Sequence, residues 1–118
     1  MSDSIYPVIT RDLAAARRAL APETEDAFRA FSQKVFADGA LPAKTKQLIA
    51  VAVAHVTQCP YCITGHTKAA SRAGATPEEI MEAIWVAAEM RAGAAVAHAT
   101  LALTELGVGA PSTGGAGS

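Results

Sequence analysis

The sequence predicts an all-α fold, one helical domain of about six helices with a C-x-x-C pair at the N-terminus of one of them. Three observations carry that expectation. The β-branched residues do not alternate with polar ones, and no Asn-Gly or Asp-Gly hairpin signal occurs. Prolines stand where helices would open, at Pro22, Pro42, Pro60 and Pro77, positions at which a missing N–H costs a helix little. Between them, apolar residues recur three and four apart, the spacing of one helix face.

The elements follow in order. Asp12 to Leu20 reads as a short helix. Pro22 opens a second, with Phe28, Phe31, Val35 and Phe36 on one face and Gly39 as its stop. Pro42 opens a third. From Leu48 to Val56 it is apolar almost all round, which predicts burial on most sides, and Gln47 and His55 stand out on it as polar. The fourth starts at the cysteine pair and runs to about Ala73, with Gly74 as its cap. Thr76, Pro77 and Glu79 form a capping box that opens the fifth, which should carry Ile80, Ile84, Trp85 and Ala88 inward. Met90 to Gly93 is expected to kink or break it before a last helix ending near Leu106. The domain is thus expected over residues 1–108, with 109–118 a disordered Gly/Ser/Pro-rich tail.

Composition bounds the function. The net charge of −1 over 118 residues offers no basic footprint for nucleic acid and no polybasic run for a membrane surface. The chain is 51% hydrophobic but only 5% aromatic, so its core is aliphatic and rich in alanine. Such helices bury little area each, which favours covering the remaining apolar faces with another copy of the chain. Met1 to Asp12 shows no secretory pattern. Ala92 to Leu103 is too short for a span of about 20 residues. A cytoplasmic protein is expected, and there a close cysteine pair is more often redox-active or metal-binding than a structural staple.

The chemistry concentrates in "QCPYCITGHTKAA", Gln58 to Ala70, which holds both cysteines, Cys59 and Cys62, and His66. With Pro60 at the first helical position, Cys59 becomes the N-cap and Cys62 falls in the first turn. Unpaired N–H groups and the positive end of the helix dipole favour thiolate there. Cysteines so placed can fall from a pKa of about 8.5 to roughly 3.5–7.5. At about 100° per residue, His66 lies about 40° from Cys62 and about 20° from Cys59, so all three share a stripe. An imidazole there can take a thiol proton or protonate a leaving oxygen. Two buried structural cysteines beside a surface histidine is the plainer alternative. A zinc site needs a fourth ligand, for which only His55 or His98 remains among the histidines and cysteines.

The run "LPAKTKQLIAVAVAHVTQCPYCITGHTKAASRAGATPEEIMEA", Leu41 to Ala83, resembles the AhpD-like alkylhydroperoxidase branch of the carboxymuconolactone decarboxylase family. The resemblance lies in a lysine-bearing apolar helix leading to C-x-x-C-x-x-x-H, then Gly-Ala-Thr and an acidic helix start. It implies an all-helical subunit assembled as a homotrimer or homohexamer, and a cofactor-free dithiol that reduces hydroperoxides. The dithiol would be re-reduced by a thiol donor of lipoyl, glutathione or thioredoxin type. It further implies that Cys62 attacks the peroxide, that Cys59 resolves the sulfenic acid, and that His66 belongs to a proton relay. Helix capping by itself favours Cys59 as the more ionised sulfur, so the two lines of reasoning differ on order.

The chain departs from the family at Gln47, where the relay usually begins with a glutamate. Glutamine can hold a water but cannot take a proton. His55, turned by about 80° on the same helix, is a candidate substitute base. Glu23 or Glu89 could also arrive from another helix. Two further functions stand beside the peroxidase. One is a lactone decarboxylase like the family's other branch, which does not depend on a dithiol. The other is a non-catalytic oligomeric binding protein on the same scaffold.

Overall fold

A computed structural model describes residues 5–111, whose regular elements are all helices, without strands. The order is α1 (Arg11–Leu20), α2 (Pro22–Phe36), α3 (Ala43–Thr57), α4 (Pro60–Arg72) and α5 (Pro77–Leu106). Residues 112–118 of the expected tail lie outside the described residues.

Most helix starts have a local cause. Thr10 accepts from Leu13 N–H at α1, and Pro22 and Pro60 occupy the first turns of α2 and α4. Pro42 is the N-cap of α3 and has no side-chain acceptor. Asp38 supplies one instead, its Oδ1 accepting from Ala43 N–H at 2.7 Å. The capping box at α5 is complete, with Glu79 N–H donating to Thr76 Oγ1 (3.1 Å) and Thr76 N–H to Glu79 Oε1 (2.9 Å). Gly74 follows α4 at φ 98°, a left-handed conformation that glycine reaches without strain.

The count is five helices, where about six were expected, because α5 runs unbroken through Met90–Gly93 for 30 residues. No proline interrupts it after Pro77. A lone interior glycine costs only about 1 kcal/mol, and Gly93 sits among good helix formers.

The core lies where α4 and α5 pack on α3. Val51, Ala54, Ala70, Ala75 and Ala87 are buried, with Leu48, Ile80 and Ile84 packed around them. Ile80, Ile84 and Ala87 form one stripe at helical spacing. Trp85 and Ala88 were expected to join it but face outward: Trp85, 65% exposed, is turned about 100° from Ile84, and Ala88 falls about 40° past Ile84, at the stripe's edge. Similarly, α3 is not buried on most sides: Ile49, Val53 and Val56 remain about half-exposed. The first two helices form a hairpin clamped by Arg17–Glu25 (2.7 Å) and Arg18–Asp26 (2.7 Å). Its apolar face is open too, with Phe28 and Phe31 exposed. The radius of gyration is 21.1 Å, against about 13 Å for a closed globule of this length. The elongated shape and the open apolar faces have one cause, namely helices that extend beyond the small core.

Candidate active site

The site is built on the α3–α4 hairpin. Gln58 ends α3 in the left-handed conformation (φ 58°), and Cys59 N–H returns to Ala54 O at 3.2 Å. That tight reversal sends α4 back along α3. Arg91 Nη1 from α5 covers the end of α3 by donating to Val56 O at 2.7 Å. Two helix ends are thereby fixed beside the cysteine pair.

Cys59 is the N-cap of α4, as the sequence predicts, and its Sγ accepts from Cys62 N–H at 3.2 Å. The two cysteines are joined as a disulfide, with Cα atoms 5.2 Å apart. One turn on, His66 Nδ1 lies 2.8 Å from Gln47 Oε1. An amide oxygen only accepts, so Nδ1 carries the proton and Nε2 is left as the basic nitrogen. The Phe36 ring stacks on His66 with centroids 5.1 Å apart and fixes the imidazole plane.

The other sequence candidates are not brought here. His55 Nδ1 donates to Val51 O of its own helix at 2.7 Å, and His98 does the same to Ala94 O. The side chain of Glu89 runs along Gly93 on α5, and Glu23 opens α2. None of these four lines the cavity at the dithiol. Among the described residues no cluster of three His, Cys, Asp or Glu side chains has metal-holding geometry.

That cavity, about 430 Å³, lies between α2 and α3 and ends on Cys62 and His66. Its walls are apolar, formed by Val35, Phe36, Ile49, Ala50 and Val53, and Lys46 stands among them. Cys62 lines it and Cys59 does not. An apolar pocket closing on one sulfur and one imidazole suits a small organic molecule. Sequence reasoning missed Phe36 and Lys46 as site residues. Their signal was available in part: Lys46, Ile49, Ala50, Val53 and Thr57 fall at the spacing of one α3 face.

Comparison with known proteins agrees with this architecture. A profile of the Carboxymuconolactone decarboxylase family matches residues 22–105. "Uncharacterized protein 4 in cox locus" of Paracoccus denitrificans is 64% identical over 106 residues, covering 90% of this chain and 95% of that protein. An uncharacterized protein of Cupriavidus necator is 38% identical over 82 residues, covering 70% and 73%. The crystal structure of a carboxymuconolactone decarboxylase family protein from Legionella pneumophila superposes with a TM-score of 0.63 at 40% identity, covering 65% of this chain and 69% of that one. A Methanobacterium thermoautotrophicum structure gives 0.67 at 36% identity, covering 70% and 93%. No helix among the described residues is long and apolar enough to cross a membrane. By the extent of the profile match and by these relatives, the chain belongs to the carboxymuconolactone decarboxylase family.

Proposed function

We propose that the chain is a cofactor-free dithiol peroxidase of the AhpD-like branch. The observation that carries this reading is the division of labour between the sulfurs. Cys62 opens onto an apolar cavity beside His66, while Cys59 stands outside it and joins Cys62.

In the reduced state His66 Nε2 takes the Cys62 thiol proton. The thiolate attacks the distal oxygen of the hydroperoxide. The S–O bond forms, the O–O bond breaks, and the alkoxide leaves with the proton from the imidazolium. Cys59 thiol then attacks the Cys62 sulfenic acid, forming the disulfide and releasing water. An external dithiol restores the pair by exchange. The sum is one hydroperoxide and one dithiol giving one alcohol, one water and one disulfide. Lipoyl, glutathione or thioredoxin-type thiols fit the donor role. Assembly as a homotrimer or homohexamer belongs to the same proposal, supported by the open faces of α2, α3 and α5.

The test follows free thiols and cumene hydroperoxide together, with each donor class in turn. Stoichiometric loss of both, restored by one donor, is the expected result. Two thiols that persist after peroxide treatment overturn the reading. One observation favours a second reading, a non-catalytic binding protein: Gln47 cannot receive a proton from His66. A pair that oxidises without turnover would select it. Consumption of carboxymuconolactone would instead assign the chain to the family's decarboxylase branch.

A further inference from the structure

We propose that the cavity at Cys62 takes hydroperoxides that carry a carboxylate, of the fatty-acid type, and that Lys46 Nζ receives that carboxylate. The inference rests on the peroxidase reading above for its chemistry, but not for its binding.

The two lysines of α3 differ in their charge partners. Lys44 is neutralised by Glu79 Oε2 at 2.8 Å. Lys46, which lines the cavity, has no carboxylate partner among the described residues. Its Nζ donates to Ala37 O at 2.6 Å, just past the end of α2. An ammonium has three N–H groups, so that bond anchors the charge and leaves two donors for a ligand. The Lys46 side chain is half-buried, against a cavity otherwise walled by apolar groups and closed by Thr57, Cys62 and His66. The bond to Ala37 O is exposed, so the ammonium stands at the cavity's open side, and an anion that brings its own apolar body gains both the charge contact and burial of that body against the apolar walls.

The placement also sets the ligand's shape. Gln47 and His66 are level with one another, and Cys62 lies one turn from His66 toward the hairpin, about 6 Å along the axis. A lysine side chain leans the other way, toward the start of its helix. Cation and sulfur therefore sit at different depths of the cavity. A ligand that reaches both carries its carboxylate and its peroxide several carbon–carbon bonds apart. A single ammonium without a neighbouring arginine matches a monoanion better than a phosphate dianion. Attack at Cys62 then follows the steps already written, with the same oxygen transfer and the same dithiol donor.

The experiment compares linoleic acid 13-hydroperoxide with its methyl ester, which removes only the charge. In wild type the acid should have the higher kcat/KM, by about fivefold at low ionic strength, with the gap narrowing in salt. Lys46→Gln keeps a donor for Ala37 O and loses the charge. The acid-to-ester ratio should fall to about one, whatever happens to the absolute rate, and Lys46→Arg should restore it. A ratio near one in wild type, or one unchanged in Lys46→Gln, overturns the proposal. If no hydroperoxide is turned over, the peroxidase reading fails and the binding claim is judged alone. NMR titration of the disulfide form with octanoate and 1-octanol then decides. Octanoate weakened at least threefold by Lys46→Gln, with 1-octanol unaffected, supports the anion site. Equal weakening of both ligands, or of neither, overturns it.

Discussion

Gln47 Oε1 accepts from His66 Nδ1–H at 2.8 Å, joining α3 to α4 directly at the site. The bond sets the imidazole tautomer and puts the basic nitrogen on the other side of the ring. It also places a neutral amide where a carboxylate would stabilise the imidazolium formed when His66 takes a proton. For the proposed proton transfer, Gln47 would thus orient His66 without supplying the charge a carboxylate would bring.

Restoring the charge with Gln47→Glu should therefore speed thiolate formation at Cys62. General-base assistance is typically worth about 10² to 10⁴ in rate, and a carboxylate one bond removed should give roughly tenfold. The measurement is the pH dependence of alkylation of the reduced protein, read beside peroxide turnover. Gln47 is half-buried, so a melting curve must accompany both. A variant that folds normally and alters neither rate nor profile removes Gln47 from the relay.

His55 is expected to be silent in the chemistry. Its Nδ1 is engaged by Val51 O and its ring does not line the cavity. His55→Ala should keep peroxide turnover within about twofold of wild type while lowering stability by about 1 kcal/mol for the lost hydrogen bond and packing. Abolished turnover in a folded His55→Ala protein would make this histidine the base and displace His66 from that role.

Local signals made much of this legible in advance. The Thr76–Glu79 capping box and the placement of Cys59 at a helix start depend on a few neighbouring residues, and both are legible in the sequence. The pairing of Gln47 with His66 joins residues 19 apart, and only the resemblance pointed at it. The break expected at Met90–Gly93 failed because one glycine is weak against a long alanine-rich helix. Trp85 failed for another reason. Apolar character marks a residue for burial without saying whether its own subunit or another covers it. For His55 the sequence shows only a polar residue on an apolar helix, and the bond of its Nδ1 to the carbonyl of Val51, four residues back, is a contact that side-chain spacing does not reveal.

The two cysteines should separate cleanly by mutation. Cys62→Ser removes the cavity-facing sulfur and should abolish peroxide loss. Cys59→Ser should still react once and stop at a sulfenic acid on Cys62, which dimedone traps and mass spectrometry locates. The reverse pattern, with the trapped acid on Cys59, assigns attack to the helix-cap sulfur, the order that capping alone favours.

Acid should weaken the junction of α3 with α5. The carboxyl of Glu79 is held below its ordinary value of 4.5, chiefly by hydrogen bonding to Lys44 and then by the Thr76 backbone N–H. A lowered carboxylate contributes stability that is complete above its unfolded value and is lost as pH falls through the folded one. Melting temperature should therefore drop from about pH 4.5 downward, less steeply in Glu79→Gln than in wild type. Because the pair is exposed, the difference between the two curves should be small, and greater at low salt. Parallel acid limbs would show that the ionisation of Glu79 contributes nothing to the fold.

A charge placed in the α3–α5 groove should break self-association. This groove, about 420 Å³, has Val53, Val56, Val86 and Met90 in its lining, and those four are between 41% and 61% exposed. Trp85, next to Val86 in sequence but outside the groove, is also exposed, and tryptophan is a residue type enriched at the energetic centre of interfaces. Leaving this apolar surface in water is unfavourable at roughly 25 cal/mol per Å², and a second copy would remove it from water. Wild type at micromolar concentration should sediment well above 12.1 kDa, the mass of one chain. Arg91 also lines the groove, its guanidinium held on Val56 O, and the carboxylate brought by Met90→Glu or Val86→Glu would be costly to bury against a second copy. Both should shift the distribution toward the single chain without loss of helical circular dichroism, since neither side chain belongs to the α3–α5 core. Wild type running as one species near 12.1 kDa contradicts the assembly itself. Variants that sediment like wild type place the contact elsewhere, with the exposed Phe28 and Phe31 of α2 as the next face to charge.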